Sequence, residues 1–111
     1  MAIEVRAMIE PLRSLAFGSI AAGYTAIGTA LDYPARLILM QNYTDAQVMF
    51  SIDGTTDHIT LNAGESFIWD ISANKTIDDG FFLAKEITFY VKQVGVPSSG
   101  NVYISSFYGD K

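Results

Sequence analysis

Residues 42–70 read NYTDAQVMFSIDGTTDHITLNAGESFIWD, and the spacing of their apolar positions decides the fold. In 46–53, Val48, Phe50 and Ile52 share one phase, while Gln47, Met49 and Ser51 take the other. In 58–61, Ile59 and Leu61 oppose His58 and Thr60; in 65–72, Phe67, Trp69 and Ile71 oppose Ser66, Ile68 and Asp70. A period of two residues is what a strand with one buried face imposes. Asp53-Gly54 lies between two such runs, a strong short-range signal for a hairpin. Asn62 and Gly64 mark the next turn.

The same pattern extends outward. Ile87, Phe89 and Val91 oppose Thr88, Tyr90 and Lys92, and Val102 and Ile104 oppose Tyr103, Ser105 and Phe107. The run ARLILMQN (35–42) is too apolar to alternate, which predicts a strand covered on both faces. Gly95, Pro97 and Gly100 punctuate the last connection. Short strands divided by turns every 8–12 residues predict an all-β, antiparallel β-sandwich, Ig-like or jelly-roll-like. Residues 32–111 form the sandwich in this reading. Residues 1–31 form an extended N-terminal arm, or first strands, packed on the domain or on a neighbour. AIEVRAMIEPL at the start is expected to make at most a turn or two of helix before Pro11. NKTIDDGFFLAK (74–85) reads as a turn at Asp78-Asp79-Gly80, followed by a strand or a crossover.

A chain of 111 residues, half of them hydrophobic and 17% charged, is one domain able to bury a core. Its net charge of −5, with seven scattered Lys and Arg, argues against direct nucleic-acid binding. With no cysteine, disulfides and thiolate metal sites are excluded. The uncharged stretch SLAFGSIAAGYTAIGTAL (14–31) approaches the length of a membrane span, but Gly, Ser, Thr and Tyr make up much of it. It reads as a small-residue β segment, and no membrane partner is expected. Nor does a basic leader precede it.

Candidate chemistry is sparse. His58 is the sole histidine, and nothing around it resembles a nucleophile elbow. A surface or turn-packing role is the better reading. Asp53 and Asp57 are the weak candidates for a metal, with Asp45 or Asp70 completing a loose site, but the calcium-loop pattern is missing. Aspartate at turns bonds its own backbone without any ligand. No cofactor is expected. The sequons at 42–44 and 74–76 lack a secretory context. Tyr90, Tyr103, Phe107 and Tyr108 lie off the inward phase or at the chain end, and are the candidate interface residues, with a sugar platform as the alternative use.

Two stretches, YPARLILMQNYTDAQVMFSIDGTTDHITLNAGESFIWDISANK (33–75) and FYVKQVGVPSSGNVYISSFYG (89–109), carry a resemblance. An apolar strand with an Arg precedes N-x-T-D, then a SIDG-TTDH hairpin, an AGESF return and a closing P-SSGNVYIS. This pattern resembles small β-sandwich virion proteins of tailed bacteriophages. The resemblance implies a non-enzymatic part used in many copies, in head decoration, head–tail joining or the tail, assembled in the bacterial host cytoplasm. Its implied partners are further copies of itself and other virion proteins. A carbohydrate-binding, host-adhesion module is the alternative function. A small enzyme built around His58 is the third.

Overall fold

The computed structural model describes residues 6–70 and 86–110, which form two antiparallel sheets packed face to face. The chain runs through β1 (Arg6–Ile9), β2 (Arg13–Ala16), a 3-10 turn at Phe17–Ser19, β3 (Thr25–Ala26), β4 (Leu37–Asn42), β5 (Val48–Ser51), β6 (Ile59–Leu61), β7 (Ser66–Asp70), β8 (Tyr90–Gln93) and β9 (Asn101–Asp110). One sheet has the order β1-β9-β4-β7, with β2 also on β9; the other has β3-β8-β5-β6. The expected antiparallel β-sandwich is therefore the fold. Among the described residues no helix is long and apolar enough to cross a membrane.

Alternation in sequence becomes alternation in burial. In β4, Ile38, Met40 and Asn42 are buried while Leu37, Leu39 and Gln41 are half-buried. Val102 and Ile104 of β9 face the same interior, as do Val48 and Phe50 of β5 and Val91 of β8. Fully burying side chains of this size is worth about 1.5–3 kcal/mol each. The core between the sheets is made largely of these residues with Phe89, Ile27 and Leu31.

Two expectations change and two become more specific. ARLILMQN is not covered on both faces: two layers leave an outer face, and Leu37 and Leu39 lie on it. Residues 6–9 of the proposed helical turn are strand β1, paired with β9. The arm, within 6–31, packs on its own domain. Its strands enter both sheets, and Ile20, Ile27 and Leu31 join the core. Finally, the hairpin at Asp53-Gly54 exists, but β5 stops at Ser51 and β6 begins at Ile59. A loop of 52–58 closes it, with His58 N donating to the Phe50 carbonyl at 3.1 Å. The readings of Ile71, of the sequon at 74–76 and of the 74–85 turn and strand lie outside the described residues.

β1 and β2 are one edge strand broken by a bulge. Ile9 pairs with Phe107 and Arg13 with Ile104, so residues 10–12 oppose only 105–106. The extra residue, with Pro11 beside it lacking an N–H, is the usual device for interrupting an edge.

Candidate interaction surface

Strand register fixes what the outer face of the five-stranded sheet presents. Ile9, Phe107, Leu37 and Asp70 form one row across β1, β9, β4 and β7. Ser105, Leu39 and Ile68 form the next; Ser14, Tyr103, Gln41 and Ser66 form the third. Ile9 and Ile68 are each 62% exposed, and Leu37, Leu39 and Phe107 are half-buried by their neighbours. Asp70 is the only charged side chain in these rows. An apolar face whose rim is uncharged apart from Asp70 is the kind of surface that protein contacts favour.

The four candidate interface residues do not share one surface. Tyr103 and Phe107 lie on this face. Tyr108 has the opposite phase and stacks on Tyr33, with ring centroids 4.0 Å apart. Tyr90 belongs to the four-stranded sheet, pairs with Ser51, and lies against Gly54. The parity shared by Tyr108 with Val102 and Ile104 was the signal separating it from Phe107. Ile9, Leu37, Leu39 and Ile68 were missed as surface residues; the unbroken apolar run 37–40 was the clue to two of them.

The acids have other occupations. Asp53 Oδ1 accepts hydrogen bonds from the Thr55 and Thr56 N–H groups, both at 2.8 Å, and from Ser51 Oγ at 2.8 Å. These donors hold its pKa well below the usual carboxylate range. Asp57 accepts from the Tyr24 hydroxyl at 2.5 Å and pairs with Lys92 at 2.9 Å. First the Tyr24 bond and then that of Lys92 lower its pKa. Burial and then the Asp57 bond push the Tyr24 phenol well above its ordinary value. His58 Nδ1 accepts from the Ile52 N–H at 3.1 Å, a loop-fixing contact. Among the described residues, no group of three or more His, Asp and Glu is placed to hold a metal.

The bulge places a buried ion pair at the rim of the sandwich. Arg13 Nη2 meets Glu10 Oε1 at 2.7 Å and the Ala30 carbonyl at 2.9 Å, and its Nε donates to the Thr29 carbonyl at 2.7 Å. Burial, the largest influence on Glu10, raises its pKa. The Arg13 bond, the N–H groups of Asp32 and Tyr33, and the Arg13 charge together bring it below the ordinary value. Beside the pair lies an open cleft of about 320 Å³ lined by Pro11, Leu12, Ser14, Gly28 and Asp32 among others. The guanidinium bonds run inward to the 29–30 backbone, so the arrangement anchors the connection from β3 to β4.

Three of the motifs carrying the resemblance, N-x-T-D, AGESF and P-SSGN, meet at one end of the sandwich, where the chain passes between sheets, while the SIDG-TTDH hairpin lies at the far end of β5. Asn42 is fully buried, and its Nδ2 lies 2.8, 3.1 and 3.1 Å from the carbonyls of Ala46, Leu61 and Asn62. Its Oδ1 accepts from the Thr44 hydroxyl at 2.6 Å and the Thr44 N–H at 3.1 Å. The first sequon is thus a structural staple with its amide committed. Asp45 accepts from the Ser98 hydroxyl and, at 2.7 Å, from the Ser98 N–H. N-x-T-D and P-SSGN therefore build the junction rather than the outer face of the five-stranded sheet. The same end exposes Tyr43, Val94 and Val96, with Phe17 reached through its bond to the Gly100 carbonyl.

No family model matches the chain, nor does any curated protein or solved structure.

Proposed function

We propose that this chain is a non-enzymatic structural component of a tailed-phage virion, acting in head decoration or head–tail joining through protein–protein contacts. The carrying observation is the apolar, almost uncharged outer face of the five-stranded sheet, centred on Leu39 with Ile9 and Ile68 standing proud. Apolar area of this kind gains most when a partner removes it from water. The likeness of residues 33–108 to small virion sandwiches supplies the setting. Catalysis has little to work with, because His58, Asp53 and Asp57 each spend their hydrogen bonds on the 52–58 loop or its neighbours. Mass spectrometry of purified particles tests the proposal: the chain is expected there in many copies per particle. Its presence in the host lysate together with absence from particles overturns it.

One observation favours carbohydrate binding as a second reading. Tyr43 is 51% exposed, meets Tyr103 edge-on at 5.8 Å, and accepts a hydrogen bond from the Gln41 amide at 2.9 Å. An exposed ring beside an amide is a recurrent way to hold a sugar. A glycan array with wild type and Tyr43→Ala separates the two readings, since only sugar recognition requires the ring.

A further inference from the structure

We propose that the outer face of the five-stranded sheet binds a second copy of the same chain, the two faces packing on each other about a two-fold axis. This deepens the assembly reading and rests on it.

Charge permits a second copy as the partner. Each chain carries a net charge of −5, so self-association succeeds only where like charges stay apart. The three rows from Ile9 to Ser66 hold one charged side chain, Asp70, and that at the end of β7. Asp53 and Asp57 sit instead on the loop joining β5 to β6, in the four-stranded sheet. The sheets of a sandwich lie about 10 Å apart, beyond a screening length of about 8 Å at physiological salt. A basic partner would be met by acids; this face offers it almost none. An acidic copy of the same chain meets a surface that does not repel it.

Size and shape agree. β9 and the β1–β2 edge beside it each run roughly 33 Å, β4 and β7 about 20 and 17 Å, and at about 4.8 Å per strand the face covers about 500 Å². That is the order of the ~800 Å² each partner contributes to a stable interface. Ser105 separates Phe107 from Tyr103 along β9, leaving a shallow place in the middle row beside Leu39. A two-fold axis makes every contact twice, so residues meeting there count double.

Sedimentation equilibrium on the full chain from about 1 to 100 μM, a range that brackets micromolar affinity, tests the proposal. Wild type is expected to be a dimer. Ile68→Lys and Ile9→Lys replace exposed side chains that the fold does not need. Each is expected to weaken dimerisation by at least ~30-fold, through lost apolar contact and charge brought face to face. Val96→Lys, on a loop at the end of the sandwich, is expected to leave it unchanged. Circular dichroism melts establish that each variant is folded. A wild-type monomer throughout, a trimer or larger ring, or a dimer indifferent to both lysines overturns the proposal. A monomer that is nevertheless found in particles overturns the homotypic contact alone, with another virion protein then covering the face. A dimer broken by Ile68→Lys but absent from particles overturns the virion role alone.

Discussion

Asn42 and Leu61 belong to different sheets, yet the Asn42 amide donates to the Leu61 carbonyl at 3.1 Å from a fully buried position. That amide also serves Ala46 and Asn62, so one side chain ties β4, the β4–β5 connection and the turn after β6 together. Asn42→Ala leaves several buried groups unpartnered at about 1–3 kcal/mol each. A loss of about 3–5 kcal/mol is expected in urea unfolding, a large part of a domain's usual 5–15 kcal/mol. Asn42→Asp is expected to be at least as damaging at neutral pH, since a carboxylate donates nothing to the three carbonyls. A loss below about 1 kcal/mol, the net worth of one ordinary hydrogen bond, would show that the staple is dispensable.

Gly100 lies against Tyr43 so closely that a Cβ there would fall 2.0 Å from the Tyr43 carbonyl oxygen, and its φ is +89°. Both the contact and the backbone demand glycine. Gly100→Ala is expected to cost more than about 3 kcal/mol, beyond the range of ordinary substitutions. Gly18→Ala meets open space and a conventional φ, and serves as the control with an effect within about 0.5 kcal/mol. Paired thermal melts check the contrast.

Glu10 and Arg13 are buried together, so removing one strands the other. Glu10→Ala is expected to cost about 3–5 kcal/mol, whereas Glu10→Met with Arg13→Met costs much less than the two singles summed. A double-mutant cycle by denaturant unfolding reads this directly. Additive losses would mean that the two side chains are not coupled.

Asp57 links acid and alkaline behaviour. Its folded pKa lies below the unfolded value, by the Tyr24 bond and then the Lys92 contact. Its contribution is therefore complete above about pH 4 and is lost as pH falls below that. Asp45, Asp53 and Glu10 shift the same way. Melting temperature is expected to fall between pH 5 and pH 3, acid conditions that bracket the unfolded value of about 3.9, and Asp57→Asn is expected to lessen the slope without abolishing it. Tyr24 is raised, so the unfolded state releases its proton first, and stability declines above about pH 10. Tyr24→Phe should remove part of that decline. Calorimetry across the pH range checks both arms, and unchanged slopes would contradict the pairing.

The sandwich was legible because its strands alternate: Val48 and Phe50, Phe89 and Val91, and Val102 and Ile104 all point inward as their spacing indicates. Residues 14–31 do not alternate, and their pairings are with β8 and β9, far along the chain. Local sequence has no means of stating such partners. The Asp53-Gly54 signal located a hairpin but not its length, because the Asp53 carboxylate gathers Thr55 and Thr56 into a wider loop. Strand phase identified Tyr103 and Phe107 as outward. It could not place Tyr90 on a different sheet, since sheet membership is set by long-range pairing. Leu37 and Leu39 were masked because the apolar run 37–40 hides their phase, which puts them on the outer face of the sheet.

Side-chain footprinting by hydroxyl radicals, on the chain dilute and on the chain assembled in its particle, examines the contact face most directly. Leu37, Leu39, Ile68 and Phe107 are expected to lose reactivity on assembly while Val94 and Val96 keep theirs. Protection of Val94 and Val96, with the sheet face still reactive, would place the contact at the end of the sandwich and contradict the account.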